Sequence, residues 1–378
     1  MTRQATPPDP DPGPLETVAA PEDPVSPLLP EAGAAMIADA LIPGENRLAV
    51  AVSGGPDSTA LMHAVAELVA RHEHYGAIVI SVDHGLRPES ADEAAQVVAQ
   101  ARSLGLDAKL RRWERAQEIT GGVQQAARAA RYRILAQEAR KAGAPVVLTA
   151  HTADDQAETV LMRLCSGSGI DGLAAMAPRA SMQAMAGIEG DDLTLVRPFL
   201  GIAKARLTGA CAHFGWWYLR DPANTDPRHT RARLRALMPV LAREGLTAPR
   251  LARLARRAGE TREALDHGAK VLFDRARLEA SGDNGLRLDG AVLRDAPIAL
   301  VQRVLRRAFV TCGDGNPDTG SNGYGPSLEK CEALARALQQ ALKGHDALPG
   351  RTLGGIRLAC TPDGLVSLNP AKPRRAGT

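Results

Sequence analysis

Aromatic side chains are scarce in this chain: 378 residues hold three Trp, four Tyr and four Phe. A broad platform for stacking single-stranded nucleic acid is therefore not expected. The five cysteines, Cys165, Cys211, Cys312, Cys331 and Cys360, are odd in number and scattered, and no CxxC pair occurs. That excludes a disulfide framework and a thiolate zinc or iron–sulfur site. No apolar run approaches the ~18 residues of a bilayer span, and the N-terminus lacks the apolar core of a signal peptide. A cytoplasmic protein with no membrane partner is expected.

The net charge of +3 is bland as a total and uneven along the chain. The first 30 residues carry one Arg against Asp9, Asp11, Glu16, Glu22 and Asp23, and hold nine of the 26 prolines. Residues 1–32 read as a disordered, Pro-rich acidic tail. Between Arg220 and Glu260 stand ten Arg and no Lys against four acids. This stretch is either a polyanion-binding surface or a solvated helix face.

From about residue 33, short apolar runs alternate with helical patterns. The runs are LAVAV (48–52), AIVISV (77–82), AKLRRW (108–113), PVVLTA (145–150) and LTLVRP (193–198), and the helical patterns cover 58–71, 90–104, 123–141, 154–166 and 204–214. Ser90-x-x-Glu93 has the form of a capping box opening the second helix, and Gly105 and Gly143 stop the second and third. Such alternation predicts an α/β fold with a parallel sheet covered on both faces and a ligand site at the carboxyl ends of its strands. After Pro239 the pattern turns helical. The expected organisation is an α/β catalytic domain over 33–240, a helical domain over 246–345, and a small C-terminal β element with a basic tail over 346–378, its strands drawn from TLGGIRLAC and GLVSLN. Asp314-x-Asn316-x-Asp318 is spaced like a calcium loop, but Thr319 takes the obligatory Gly position and no Glu closes it, so calcium is not expected there.

The first run leads into Ser53-Gly54-Gly55-Pro56-Asp57-Ser58 and then a helix. Paired glycines let the backbone curl close to an anion at a helix N-terminus, and Ser53 and Ser58 add hydroxyls. No Lys follows, so this is not a GxxxxGK[ST] loop. Gly167-Ser168-Gly169-Ile170-Asp171-Gly172 fits GxGxxG, yet it follows a helical segment and reads as a helix stop and loop. His151-Thr152-Ala153-Asp154-Asp155-Gln156-Ala157-Glu158-Thr159 lies where the run PVVLTA meets a helix. Asp155 and Glu158, three apart, share a helical face toward the strand ends, although acids in a first turn also serve as plain dipole stabilisers. Phe214, Trp216, Trp217 and Tyr218 cluster after a helix and are expected mainly as core, with base stacking as the other use.

The SGGPDS loop resembles that of the PP-loop ATP pyrophosphatase superfamily. The ordered set of Ser53 to Ser58, Val82-Asp83-His84-Gly85-Leu86-Arg87, Ala127-Arg128-Ala129-Ala130-Arg131-Tyr132, His151 to Thr159, Gly167 to Leu173 and Arg197-Pro198-Phe199 is similar to the tRNA(Ile)-lysidine synthase family. Asp221-Pro222-Ala223-Asn224 and Arg231-Ala232-Arg233-Leu234-Arg235 continue it. Thr152, Ala223 and Ala232 depart from the family's His, Ser and Asn, so hydrogen bonds made by those side chains do not carry over.

The resemblance implies a ligase using ATP and Mg²⁺ that adenylates the wobble cytidine of tRNA(Ile) bearing a CAU anticodon. L-Lysine then displaces AMP to form lysidine, which changes codon specificity from AUG to AUA. It implies a PP-loop fold of the adenine-nucleotide-hydrolase kind and a tRNA-contacting role for 246–345. Ser53, Gly54, Gly55, Pro56 and Ser58 become the pyrophosphate cradle, and Asp57 the Mg²⁺ ligand or a first-turn cap. Asp83 is expected to border the adenosine, and Arg128 and Arg231 to contact phosphate or cytidine. Asp155 and Glu158 are expected to neutralise lysine's ammonium and accept its proton. His151 orients one of these groups or serves as a core histidine. Rival enzymes with such a loop are thiolases, disfavoured by the missing CxxC, and amidating ligases, disfavoured by the missing glutaminase signature. A nucleotide sensor without chemistry is disfavoured by the carboxylates at 57, 155 and 158.

Overall fold

The computed structural model describes residues 26–83, 85, 89–113, 123–183, 193–219, 228, 230–278, 285–312 and 328–371. His84, Leu86, Arg87, Asp221, Ala223, Asn224, most of the loop after Cys312 and the basic tail lie outside them. The chain forms two compact units, 1–256 and 257–378.

In the first unit, α1 (Pro30–Ala40) precedes β1 (Arg47–Ala51), α2 (Pro56–Arg71), β2 (Gly76–Asp83), α3 (Ser90–Ser103), β3 (Asp107–Arg112), α4 (Val123–Lys141) and β4 (Val146–Leu148). There follow α5 (Ala153–Cys165), α6 (Ile170–Leu173), β5 (Arg179–Ser181), β6 (Thr194–Val196), α7 (Lys204–Phe214) and α8 (Thr230–Arg243). The six strands lie in the order β3-β2-β1-β4-β6-β5. All pair in parallel except β5, which runs antiparallel to β6 at the edge.

Successive residues of β1 serve opposite cores, as the pleat requires. Leu48, Val50 and Val52 pack with α1, α2, α3 and α7, whereas Ala49 and Ala51 join Ile78, Ile80 and the α4 residues Tyr132, Leu135 and Ala136. A strand buried on both faces reads as an unbroken apolar run, which is why LAVAV stood out. Leu61 and Leu68 on α2 are almost wholly buried, each stabilising the fold by on the order of 2 kcal/mol. Because β2 and β3 lie to one side of β1 and β4 to the other, the strand order reverses between β1 and β4. Their carboxyl ends therefore open the crevice where ligands of such sheets bind.

Several local expectations are corrected. The N-terminal tail is shorter at its inner end, because Leu28 is buried and its amide bonds Arg206 O at 3.1 Å, and Pro30 starts α1. No capping box forms at Ser90: Glu89 is the N-cap, and the Ser90 hydroxyl donates to Asp83 Oδ1 at 2.6 Å. The GxGxxG segment does stop α5, at Gly167 (φ +66°), with no strand before it, but the four-residue α6 follows in place of an open loop.

The second unit contains the later part of α9 (Ala248–Ala276), β7 (Leu286–Asp289), α10 (Gly290–Arg294), α11 (Ile298–Cys312), α12 (Leu328–Gly344), β8 (Leu348–Leu353), β9 (Ile356–Cys360) and β10 (Leu365–Pro370). Its antiparallel sheet has the order β7-β10-β9-β8. Two corrections follow. The region 246–345 is not purely helical, since Leu286 and Leu288 alternate with Arg287 to form β7, a strand too short to stand out between glycines. TLGGIRLAC is not one strand, because Gly354 and Gly355 at positive φ turn β8 back into β9. No helix among the described residues is long and apolar enough to cross a membrane.

Candidate active site

The loop after β1 places its glycines for two different reasons. Gly54 adopts φ +86°, and a Cβ there would lie 2.5 Å from Leu219 Cδ1, so conformation and space both require glycine. Its carbonyl accepts Leu219 N at 2.8 Å, which ties the loop to the strand of chain after α7. Gly55 is the N-cap of α2 and offers no side chain to its amides. A Cβ on Gly55 would meet only Ser53 Oγ, at 3.9 Å, so the space above it is open. First-turn amides without an intrahelical partner and the helix dipole favour an anion there. The loop is braced by Ser58, whose hydroxyl accepts Ser53 N at 3.2 Å and donates to Gly55 O at 3.0 Å. Pro56 fits the first helical position, where no amide hydrogen is needed.

Asp57 stands in this first turn and forms an ion pair with Lys204, the first residue of α7. Burial raises its carboxyl above the usual range; Lys204 opposes the rise, and Asp155 and Asp154 add to it. Asp57 Oδ1 is buried with no hydrogen-bond partner among the described residues. Lys204 is itself positioned by Asp154, whose Oδ2 accepts the Lys204 amide at 2.7 Å.

At the end of β4, Thr152 caps α5. Its hydroxyl accepts Asp155 N at 3.4 Å, while Asp155 Oδ2 accepts Thr152 N at 2.8 Å and Thr152 Oγ1 at 3.0 Å. One Asp155 oxygen is thus committed to a capping box, the structural use that its first-turn position allowed. Glu158, one turn on, is 2% exposed. Its Oε1 accepts Arg235 Nε at 2.8 Å and Nη2 at 2.6 Å, and its Oε2 is buried without a partner among the described residues. Burial raises the Glu158 carboxyl; Arg235 opposes the rise, Asp155 adds to it, and Arg231 opposes it. Arg231 and Arg235 both lie on α8, so α5 and α8 bring the predicted Glu158 and Arg231 together.

His151 sits between these groups with Nδ1 3.0 Å from Thr149 Oγ1. Burial lowers its pKa to about 3; Asp155 opposes that, while Arg197, Arg131 and Arg128 reinforce it. The imidazole is neutral at any physiological pH. Arg128, one of the predicted cations, lies 5.1 Å above the Tyr132 ring, and buried Arg197 donates to Ala177 O at 2.6 Å. The charges of Arg197, Arg131 and Arg128 thus all bear on His151, and guanidinium groups suit phosphate oxygens.

Asp83, expected to border the adenosine, is held by its own neighbours at the end of β2. Its Oδ1 accepts Gly85 N at 2.7 Å and Ser90 Oγ at 2.6 Å, and Oδ2 lies 3.6 Å from Arg112 Nε. The carboxylate staples the end of β2 to α3 and β3. The aromatic cluster is divided: Trp216 and Tyr218 pack on the core, while Phe214 and Trp217 are 40% and 39% exposed. Trp216 stacks between His63 and Phe214, at 3.8 and 4.8 Å between centroids.

Lys204, Arg235, Arg131 and Arg197 were not singled out from sequence. Arg131, Arg197 and Arg235 stand inside the quoted motifs, so the signal for them was present. Lys204 follows Arg197-Pro198-Phe199 as an isolated helical Lys, and only the fold brings it to Asp57. Among the described residues no three His, Cys, Asp or Glu side chains converge to hold a metal. Any ion at the cradle would depend on Asp57 Oδ1 with phosphate and water oxygens, which suits Mg²⁺.

Residues 32–241 match a family described as a PP-loop domain. The chain is 45% identical to tRNA(Ile)-lysidine synthase of Methylobacterium nodulans over 336 residues, covering 87% of this chain and 91% of that protein. It is 44% identical to the enzyme of the same name from Rhodopseudomonas palustris, covering 87% and 91%. Among solved structures, the U34-tRNA thiolase NcsA from Methanococcus maripaludis shares the fold at TM-score 0.50 and 16% identity, over 61% of this chain and 78% of that one. Matched by the PP-loop family over more than half its length and by two relatives covered nearly end to end, the chain belongs to the tRNA(Ile)-lysidine synthase family of PP-loop enzymes.

Proposed function

We propose that this enzyme transfers AMP from ATP to the carbonyl oxygen of the wobble cytidine in tRNA(Ile) with a CAU anticodon. The ε-amine of L-lysine then attacks the activated carbon and AMP departs. The observation that carries this reading is one crevice holding both an open anion cradle at the N-terminus of α2 and a buried, half-unpartnered Glu158.

In the first step the Gly55 cap and the first-turn amides of α2 hold the polyphosphate, and the guanidiniums of Arg128, Arg131 and Arg197 face spreading phosphate charge. Asp57 Oδ1 would hold Mg²⁺, which when bound neutralises phosphate charge. In the second step Glu158 Oε2 is the acceptor for the lysine ammonium and takes the proton released as the C–N bond forms. A carboxylate raised by burial and steadied on one oxygen by Arg235 is suited to that exchange. Neutral His151 acts as a fixed dipole beside it. Recognition of the tRNA falls to the arginine face of α9 and to 246–345, where Arg250, Arg253, Arg256 and Arg257 are exposed. We place the protein in the cytoplasm with its substrates. The test is incubation with ATP, labelled lysine and CAU-anticodon tRNA(Ile). Lysine should become acid-precipitable only when ATP and that tRNA are both present, and its failure to do so contradicts the proposal.

A further inference from the structure

The anion cradle has an electrostatic deficit that its own sequence does not repair. From Ser53 to Ser58 it contains no cation and one carboxylate, Asp57, set in the first turn where the phosphates must lie. An unscreened carboxylate there repels the ligand that the amides attract.

Lys204 answers that deficit from another part of the chain. Its ammonium pairs with Asp57 Oδ2, and its stem is partly covered, the side chain being 38% exposed. Its place is fixed at both ends: the side chain reaches α2 and the backbone amide is held by Asp154 of α5. Asp154 does from outside what the N-cap Ala203 cannot do for α7. A surface ion pair formed by chance has no need of such anchoring. Three helices meet in it, α2 with the cradle, α5 with Glu158, and α7.

We infer that Lys204 is the cation of the phosphate site and contacts the β- and γ-phosphates of ATP during adenylation, resting on Asp57 when no nucleotide is bound. This rests on the ATP-using reading above. As the cytidine oxygen bonds to the α-phosphorus, the bond from phosphorus to the bridging oxygen breaks and its electron pair leaves with pyrophosphate. Lys204 stabilises that charge by hydrogen bonding and gives up no proton. AMP, which lacks these phosphates, does not engage it, and lysine transfer from tRNA already adenylated does not need it.

The test uses the full chain with Lys204→Met and Lys204→Arg, their folds compared with wild type by circular dichroism. Equilibrium binding of ATP and of AMP is measured separately, followed by single-turnover adenylation and by lysine transfer to pre-adenylated tRNA. For Lys204→Met, ATP affinity should fall by roughly tenfold or more while AMP affinity holds, because a charge-assisted contact is lost only from the longer nucleotide. Adenylation should slow on the order of a hundredfold, transfer should be unchanged, and Lys204→Arg should recover most of the loss. If Lys204→Met does not fold, Lys204→Gln, which keeps a hydrogen bond to Asp57, carries the same contrast. Equal loss for ATP and AMP, or no loss for either, overturns the inference. Should wild type bind ATP but form no RNA adduct, the lysidine reading fails while the contrast between nucleotides still decides the role of Lys204.

Discussion

Glu158 is the side chain on which the proposed lysine transfer turns. Arg235 holds one oxygen, the other has no partner among the described residues, and burial raises the carboxyl above its usual range. Glu158→Gln keeps the shape and removes the proposed base. It should slow lysine transfer on the order of a hundredfold and adenylation far less, so that single-turnover reactions accumulate adenylated RNA. Equal slowing of both steps contradicts the assignment. His63 offers a test of the fold instead. Burial lowers its pKa from 6.5 to about 4, so below pH 6.5 the unfolded chain binds a proton that the folded one refuses, and the fold loses stability as pH falls from 6.5 through about 4. His63→Phe keeps the stack on Trp216 and removes the titration. Its melting temperature should match wild type above that window and exceed it within the window, and parallel losses in both proteins would exclude the effect. At this scale Asp57 and Glu158 were legible as candidates from a carboxylate beside a strand–helix turn and in the first turns of a later such helix, whereas Arg128 and Arg231, on helices, were indicated by the family resemblance alone. Lys204 was not, because a helical Lys is ordinarily solvated and its partner lies 147 positions away.

Among the elements, α5 shows why local patterns can mislead. Ser90-x-x-Glu93 has the letters of a capping box, yet the helix starts at Ser90 and the hydroxyl is drawn to Asp83. Thr152-x-x-Asp155 has the same form and does cap. The difference is tertiary: β2 ends with a buried carboxylate beside Ser90, and among the described residues no other group takes the Thr152 hydroxyl from Asp155. Thr152→Ala should destabilise the protein by about 1 kcal/mol and loosen the turn that carries Asp155. Chemical denaturation would read the first effect, and an unchanged midpoint would show that the backbone amide bond to Asp155 suffices. The central strands and long helices were legible because double-sided burial and helical periodicity write continuous patterns. The edge strand β5 and the four-residue β7 were not, since so few residues carry almost no period and their pairing partners are remote in sequence.

For the whole molecule, charge separates two tasks. The crevice lies entirely in the first unit, whereas the arginine run continues along α9 past the boundary at Arg256. Replacing Arg250, Arg253, Arg256 and Arg257 by Gln should weaken tRNA binding and flatten its dependence on salt, because fewer counterions are released. ATP affinity should be unaffected. An unchanged salt slope would assign that face to solvent alone.

The central claim is that activation of the RNA precedes and does not require the amine. The most direct measurement gives wild-type protein ATP and CAU-anticodon tRNA(Ile) without lysine, quenches the mixture, and analyses the RNA by chromatography. An acid-labile AMP adduct is expected on the wobble cytidine, and it should disappear, with release of AMP, when lysine is added. ATP consumption with lysine present but no adduct in its absence would contradict it.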